Sequence, residues 1–162
     1  MDTDKLLREH LLELLRGGSA HMTFDEAIAD YPLDRINEKF PHGEYSAWAL
    51  LEHIRLAQDD IIEFIQEKDY REKRWPEDYW PDFDKVATDE DWWGTIGGFK
   101  DGIGTLVVLV EDDETDLFAR IPWGDGQTVA REIMVVADHN AYHIGELGIM
   151  RQAMGTWGED HA

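Results

Sequence analysis

Apolar residues recur every three or four positions in four long stretches of this chain, and each stretch stops at a cluster of glycine, proline or aspartate. That is the period of an α-helix with one buried face. The first pattern covers residues 3–16, with Leu7, Leu11 and Leu14 in register and Gly17-Gly18 as its stop. Thr23-Phe24-Asp25-Glu26 then reads as a capping box, opening a short helix that ends before Pro32. The second long pattern covers residues 46–67 on Leu50, Ile54, Ala57, Ile61 and Phe64. The third opens at Thr88 or Asp89 and carries Ile96, Phe99, Ile103, Leu106 and Val110. The fourth runs from about Thr128 to just before Gly155, with Val129, Ile133, Val136, Leu147, Met150 and Met154 as its stripe.

The third pattern is interrupted by Gly94, Gly97, Gly98, Gly102 and Gly104. Each interior glycine costs a helix about 1 kcal/mol relative to alanine. Gly94, Gly98 and Gly102 are four apart, so they form a smooth ridge along which a second helix can approach closely. A phosphate-binding loop is the competing reading, but neither GxxxxGK[ST] nor a complete GxGxxG is present.

Four long amphipathic helices in 162 residues predict one all-α domain, residues 1–162, built as a four-helix bundle. The connection over residues 68–87 is long for a compact domain. It can return along a twenty-residue helix of about 30 Å and so let the second and third helices lie parallel. The expected order is therefore up-down-down-up. The Trp- and Pro-rich part of that connection, residues 74–83, reads as a lid, a dimer contact or plain packing.

Charge and composition narrow the function. The formal net charge is −21, which argues against nucleic acid and against an anionic membrane surface as partners. No apolar run approaches the roughly 20 residues of a membrane span, and Met1-Asp2-Thr3-Asp4-Lys5 lacks the basic start of a signal peptide, so a cytoplasmic protein is expected. Cysteine is absent, which excludes disulfides, thiolate metal sites and cysteine nucleophiles.

Among seven histidines, His139 and His143 stand four apart in the fourth helix. That spacing puts two imidazoles on one face, about 40° apart and one turn of rise between them. The apolar stripe centres about 70° from His139, so both rings sit at the edge of the core. His53 holds the equivalent place on the second helix. A bundle needs three such edge positions to build an interior three-His site, and neutral imidazole suits Zn, Ni, Fe, Mn or Co. Hydrogen-bonded packing histidines are the plainer reading of the same spacing. Asn140 follows His139, so the general-base glutamate of a HExxH protease is missing, and no GxSxG elbow is present. Trp48, Trp92, Trp93 and Trp123 read as core and loop anchors.

Three segments carry a resemblance. They are Ala20-His21-Met22-Thr23-Phe24, Ser46-Ala47-Trp48-Ala49-Leu50-Leu51-Glu52-His53-Ile54, and the stretch from Pro122-Trp123-Gly124 through Asp138-His139-Asn140-Ala141-Tyr142-His143-Ile144-Gly145-Glu146-Leu147. Together they resemble the DinB-like, or damage-inducible-protein, superfamily of bacterial four-helix bundles, related to metal-dependent thiol S-transferases and the mycothiol-dependent maleylpyruvate isomerase. The resemblance implies an up-down-down-up bundle, often a homodimer, with His53, His139 and His143 as ligands of a divalent transition metal. It also implies a small-molecule substrate, with a low-molecular-weight thiol such as bacillithiol or mycothiol as co-substrate. Glu146 stands where many members have glutamine. It reads as a partner of a ligand, a fourth ligand, a general base and thus the catalytic candidate, or an exposed acid without a role. His21 belongs to the matching pattern and is expected to cap or to pack near the site. His10, His42 and His161 read as solvated. The expected function is a metal-dependent transferase or hydrolase. The alternatives are a non-catalytic metal-binding stress-response or interaction module, and a structural dimer without metal.

Overall fold

The computed structural model describes residues 3–82 and 84–158, and among these it is all-helical. Five α-helices follow in order: α1 (Thr3–Arg16), α2 (Phe24–Ile28), α3 (Ala47–Gln66), α4 (Asp89–Glu111) and α5 (Val129–Met154), with a single 3₁₀ turn at Leu33–Arg35 after α2. Their starts follow local chemistry. The hydroxyls of Thr23, Ser46, Thr88 and Thr128 each accept from an amide three residues on, and Thr23 and Thr88 complete capping boxes with Glu26 and Asp91. At the far end of α5 the chain turns out through Gly155, whose φ of 63° is costly for a residue with a side chain. No helix among the described residues is long and apolar enough to cross a membrane.

α1 and α3 each pack against both α4 and α5. Side-chain contacts give the sense of each pair. On α3 and α4, Trp48 donates to Thr95, Gln58 donates to the Phe99 carbonyl, and Gln58 and Ile62 face Gly102, so the two helices run the same way. On α3 and α5, His53 meets His139 and Phe64 accepts from Trp123 just ahead of α5, so these run oppositely. Arg8 of α1 donates to the Val110 carbonyl near the end of α4, while Leu15 shares a cavity with Phe99, so α1 and α4 also run oppositely. One apolar cluster gathers Trp48, Leu50, Trp92 and Leu147 with α2, and a second gathers Leu11, Leu106 and Ile133.

Because α3 and α4 are parallel, the chain leaving α3 must travel back along it before α4 can begin. Residues 67–88 make that return. Asn37 pins its end with a reciprocal pair of 2.8 Å bonds to the backbone N–H and carbonyl of Ala87.

The glycine-rich stretch is helical. Two of the three ridge glycines meet α3: a Cβ on Gly98 would lie 2.7 Å from Arg55 Cδ, and one on Gly102 would overlap the Gln58 amide. Gly94 departs from expectation, since nothing lies within 4 Å of its Cβ position. Gly104 is open in the same way. Thermal melts should therefore split the two substitutions. Gly104→Ala is expected to stabilise by about 0.5–1 kcal/mol through helix propensity. Gly102→Ala is expected to destabilise by about 1–3 kcal/mol, because Gln58 must give up its place between the helices.

Candidate metal centre

α3 and α5 run oppositely, so the middle of one faces the middle of the other. That brings His53 onto His139 and His143, with one nitrogen of each ring within 4.8 Å of the others. His53 Nε2 lies 3.3 Å from His139 Nε2. Two imidazoles on a tetrahedral ion, each about 2.0–2.1 Å from it, are about 3.3–3.4 Å apart, so this pair is spaced as a shared ion requires. The His143 ring stands edge-on to both, with centroids 4.8 Å from His53 and 4.5 Å from His139. Among the described residues these three imidazoles are the group of histidines and acids placed closely enough that they could hold a metal ion.

The far nitrogens decide whether the inner ones are available. His53 Nδ1 is 2.7 Å from the Tyr79 carbonyl, which can only accept, so Nδ1 carries the hydrogen and Nε2 keeps its lone pair. His143 Nδ1 is 2.7 Å from Glu146 Oε2, which fixes that ring in the same way. The His143 hydrogen bond, opposed by burial, holds the Glu146 carboxyl below its usual range. Its other oxygen accepts from the Tyr45 hydroxyl, whose ionisation is suppressed first by burial and then by that bond. Burial, then the charge His143 would carry, pushes His53 down. His139 falls to about 4 through burial, then through His143 and His53. Both rings are thus neutral near pH 7, which is the form that binds a metal.

The returning chain completes the surroundings. Trp80 stacks on His53 at 4.0 Å with parallel planes. Asp60, buried on α3, accepts from the hydroxyls of Tyr70 at 3.0 Å and Tyr79 at 2.7 Å. One carboxylate therefore ties down the segment whose carbonyl orients His53. An open cavity of about 690 Å³ lies over the rings, with His53, His139 and His143 among its lining residues together with Asp60, Arg131 and Glu132.

Of the residues singled out in the sequence, His53, His139 and His143 come together and Glu146 stands behind His143. His21 does not join them. Its Nδ1 is 2.7 Å from the Met22 carbonyl, and it lines a separate cavity of about 270 Å³ with Phe24, Phe99 and Asn140. His10 and His42 are exposed, and His161 lies outside the described residues. Trp48 and Trp92 are core, and Trp123 anchors a loop. Trp93 is a correction: it is 58% exposed, because adjacent helix positions are about 100° apart and Trp92 takes the inward one. Within the Trp- and Pro-rich segment Trp75, Tyr79 and Trp80 meet His53, while Phe83 lies outside the described residues. Tyr45, Asp60 and Tyr142 went unread in the sequence. No family model, curated protein or solved structure matches this chain.

Proposed function

We propose that this chain is a divalent-metal-dependent enzyme of the DinB-like kind, a four-helix bundle in up-down-down-up order that carries out transfer or hydrolysis on a small molecule. One observation carries the reading: three imidazole nitrogens converge at the wall of an open cavity, with the far nitrogens of His53 and His143 fixed by acceptors. The senses of the helix pairs support the bundle order. The expected setting is a cytoplasmic homodimer with no nucleic-acid or membrane partner.

A divalent ion such as Zn, Ni, Fe, Mn or Co bound there would act as a Lewis acid and lower the pKa of a water or a substrate thiol. His53, His139 and His143 would hold it. Tyr79 and Glu146 keep His53 and His143 in the ligating tautomer, and Trp80 limits water over His53. Glu146 acts here through His143, because both its oxygens are engaged and it does not line the cavity. A non-catalytic metal-binding module would need a closed site with Glu146 as fourth ligand, and that engagement counts against it.

The test is the visible spectrum of the cobalt-loaded protein titrated with 2-mercaptoethanol and with azide. An open, exchangeable position predicts a new thiolate-to-cobalt band and a shift on adding azide, both absent in His139→Ala. A cobalt spectrum indifferent to both additives would leave the non-catalytic module as the better reading.

A further inference from the structure

His139 is held differently from its two neighbours. Nδ1 of His53 and Nδ1 of His143 each meet an oxygen that fixes the ring. The ordinary hydrogen-bonding partner of His139 is the His53 ring itself, Nε2 to Nε2 at 3.3 Å. Two neutral imidazole nitrogens at that distance share either one hydrogen or one ion. With an ion, both Nε2 atoms offer lone pairs, and the hydrogen of His139 must sit on Nδ1. Nδ1 then needs an acceptor of its own, as ligating histidines almost always have.

A chain of buried amides supplies one. Gln58 is 1% exposed and Asn140 is 6% exposed. Gln58 Nε2 donates to the Phe99 carbonyl at 2.9 Å, and a carbonyl can only accept, so the Gln58 amide cannot be turned over. Its Oε1 is left to accept, and it takes Asn140 Nδ2 at 3.1 Å. That bond fixes the Asn140 amide in turn. Asn140 Oδ1 is left as a buried acceptor without a hydrogen bond of ordinary geometry. Gly102 gives the chain its room, since a Cβ there would overlap the Gln58 amide. Asn140 follows His139 in α5. Burial and the other two histidines disfavour a charged His139 ring, and the Asn140 side chain acts the opposite way, as an oxygen facing a ring N–H does.

We propose that Asn140 is a positioning residue of the metal centre: its Oδ1, aimed by Gln58, accepts the Nδ1 hydrogen of His139 and so holds that ring as an Nε2 ligand. The inference rests on the three-His reading and completes it. Each ring then has its own acceptor: the Tyr79 carbonyl for His53, the Asn140 amide for His139 and the Glu146 carboxylate for His143. The ligand on α5 is thereby tied through Gln58 of α3 to the backbone of α4.

NMR of the ring nitrogens in the isotope-labelled full chain tests it, because the spectrum tells which nitrogen carries the hydrogen. One arm needs no metal. In His53→Ala/His143→Ala the other two rings are gone, and the His139 hydrogen is expected on Nδ1. Adding Asn140→Leu should move it to Nε2, the form that free imidazole side chains prefer. The second arm is zinc affinity. Asn140→Leu is expected to weaken zinc by about 10- to 100-fold. Asn140→Asp loses the same bond to Gln58 but keeps an oxygen for Nδ1, so it should stay close to wild-type affinity with the hydrogen on Nδ1. A wild type that binds no zinc would end the metal reading, and the metal-free arm would still decide this one. A hydrogen on Nε2 in the metal-free double variant, wild-type zinc affinity in Asn140→Leu, or equal losses in the leucine and aspartate variants would each overturn the proposal.

Discussion

Alanine at His53, His139 or His143 is expected to abolish stoichiometric metal binding. Loss of a hydrogen-bond partner behind a ligand already costs a metal site about 10- to 100-fold in affinity, so loss of a ligand should cost about a hundredfold or more. The measurement is metal content by mass spectrometry on tag-free protein after dialysis, alongside melting temperature against free ion concentration. Saturation at about one hundred times Kd adds about 2.7 kcal/mol to the native state. For a chain of this length that is about 5–10 °C in Tm. The wild type should show that rise and each variant should not. The metal-free variants should melt within a few degrees of the metal-free wild type. A wild type that binds no ion and whose Tm ignores added Zn, Ni, Mn or Co would end the metal-centre reading.

The second large effect is far from the histidines. Arg151→Met is expected to cost about 2–4 kcal/mol, because buried carbonyls lose their donor at about 1–3 kcal/mol each while the cost of burying the guanidinium is relieved. Arg151 is fully buried in α5. It donates to the carbonyls of Ala27, Ala29 and Thr156 at 2.8 Å each, and its guanidinium lies 3.9 Å from the centre of the Trp157 ring. Ala27 and Ala29 straddle the end of α2, so Arg151 caps a five-residue helix that cannot hold its own last carbonyls. Methionine keeps the length of the side chain and leaves three carbonyls unpaired. Denaturant melts should show a lower midpoint at constant slope. At low temperature Arg151→Met should still take up metal, so the two predictions fail independently.

The sequence exposed some of this and concealed the rest for identifiable reasons. His139 and His143 were legible because i, i+4 spacing is a geometric statement about one helix. His53 was legible because its angle to the apolar stripe matches theirs. The parallel sense of α3 and α4 was legible in the length of the connection between them. The Tyr79 contribution was not, because a backbone carbonyl has no residue type to read. Asp60 resembled any acid on a helix, and its partners Tyr70 and Tyr79 lie on a segment without periodicity. Trp93 misled because adjacent tryptophans look equally apolar, while a helix can turn only one of them inward.

The three imidazoles also set an order of events during synthesis. His53 and His139 are 86 positions apart, and His139 and His143 both lie in α5, the last of the described helices. A nascent chain that has been made only through α3 presents one of these three histidines and lacks the other two. An ion could meet all three rings only when α5 closes on α3, and by then the return segment has been made and its Tyr79 carbonyl can set the His53 proton. Uptake of an ion by all three rings would thereby wait until α5 has been made, and a product that stops short of α5 lacks the complete set.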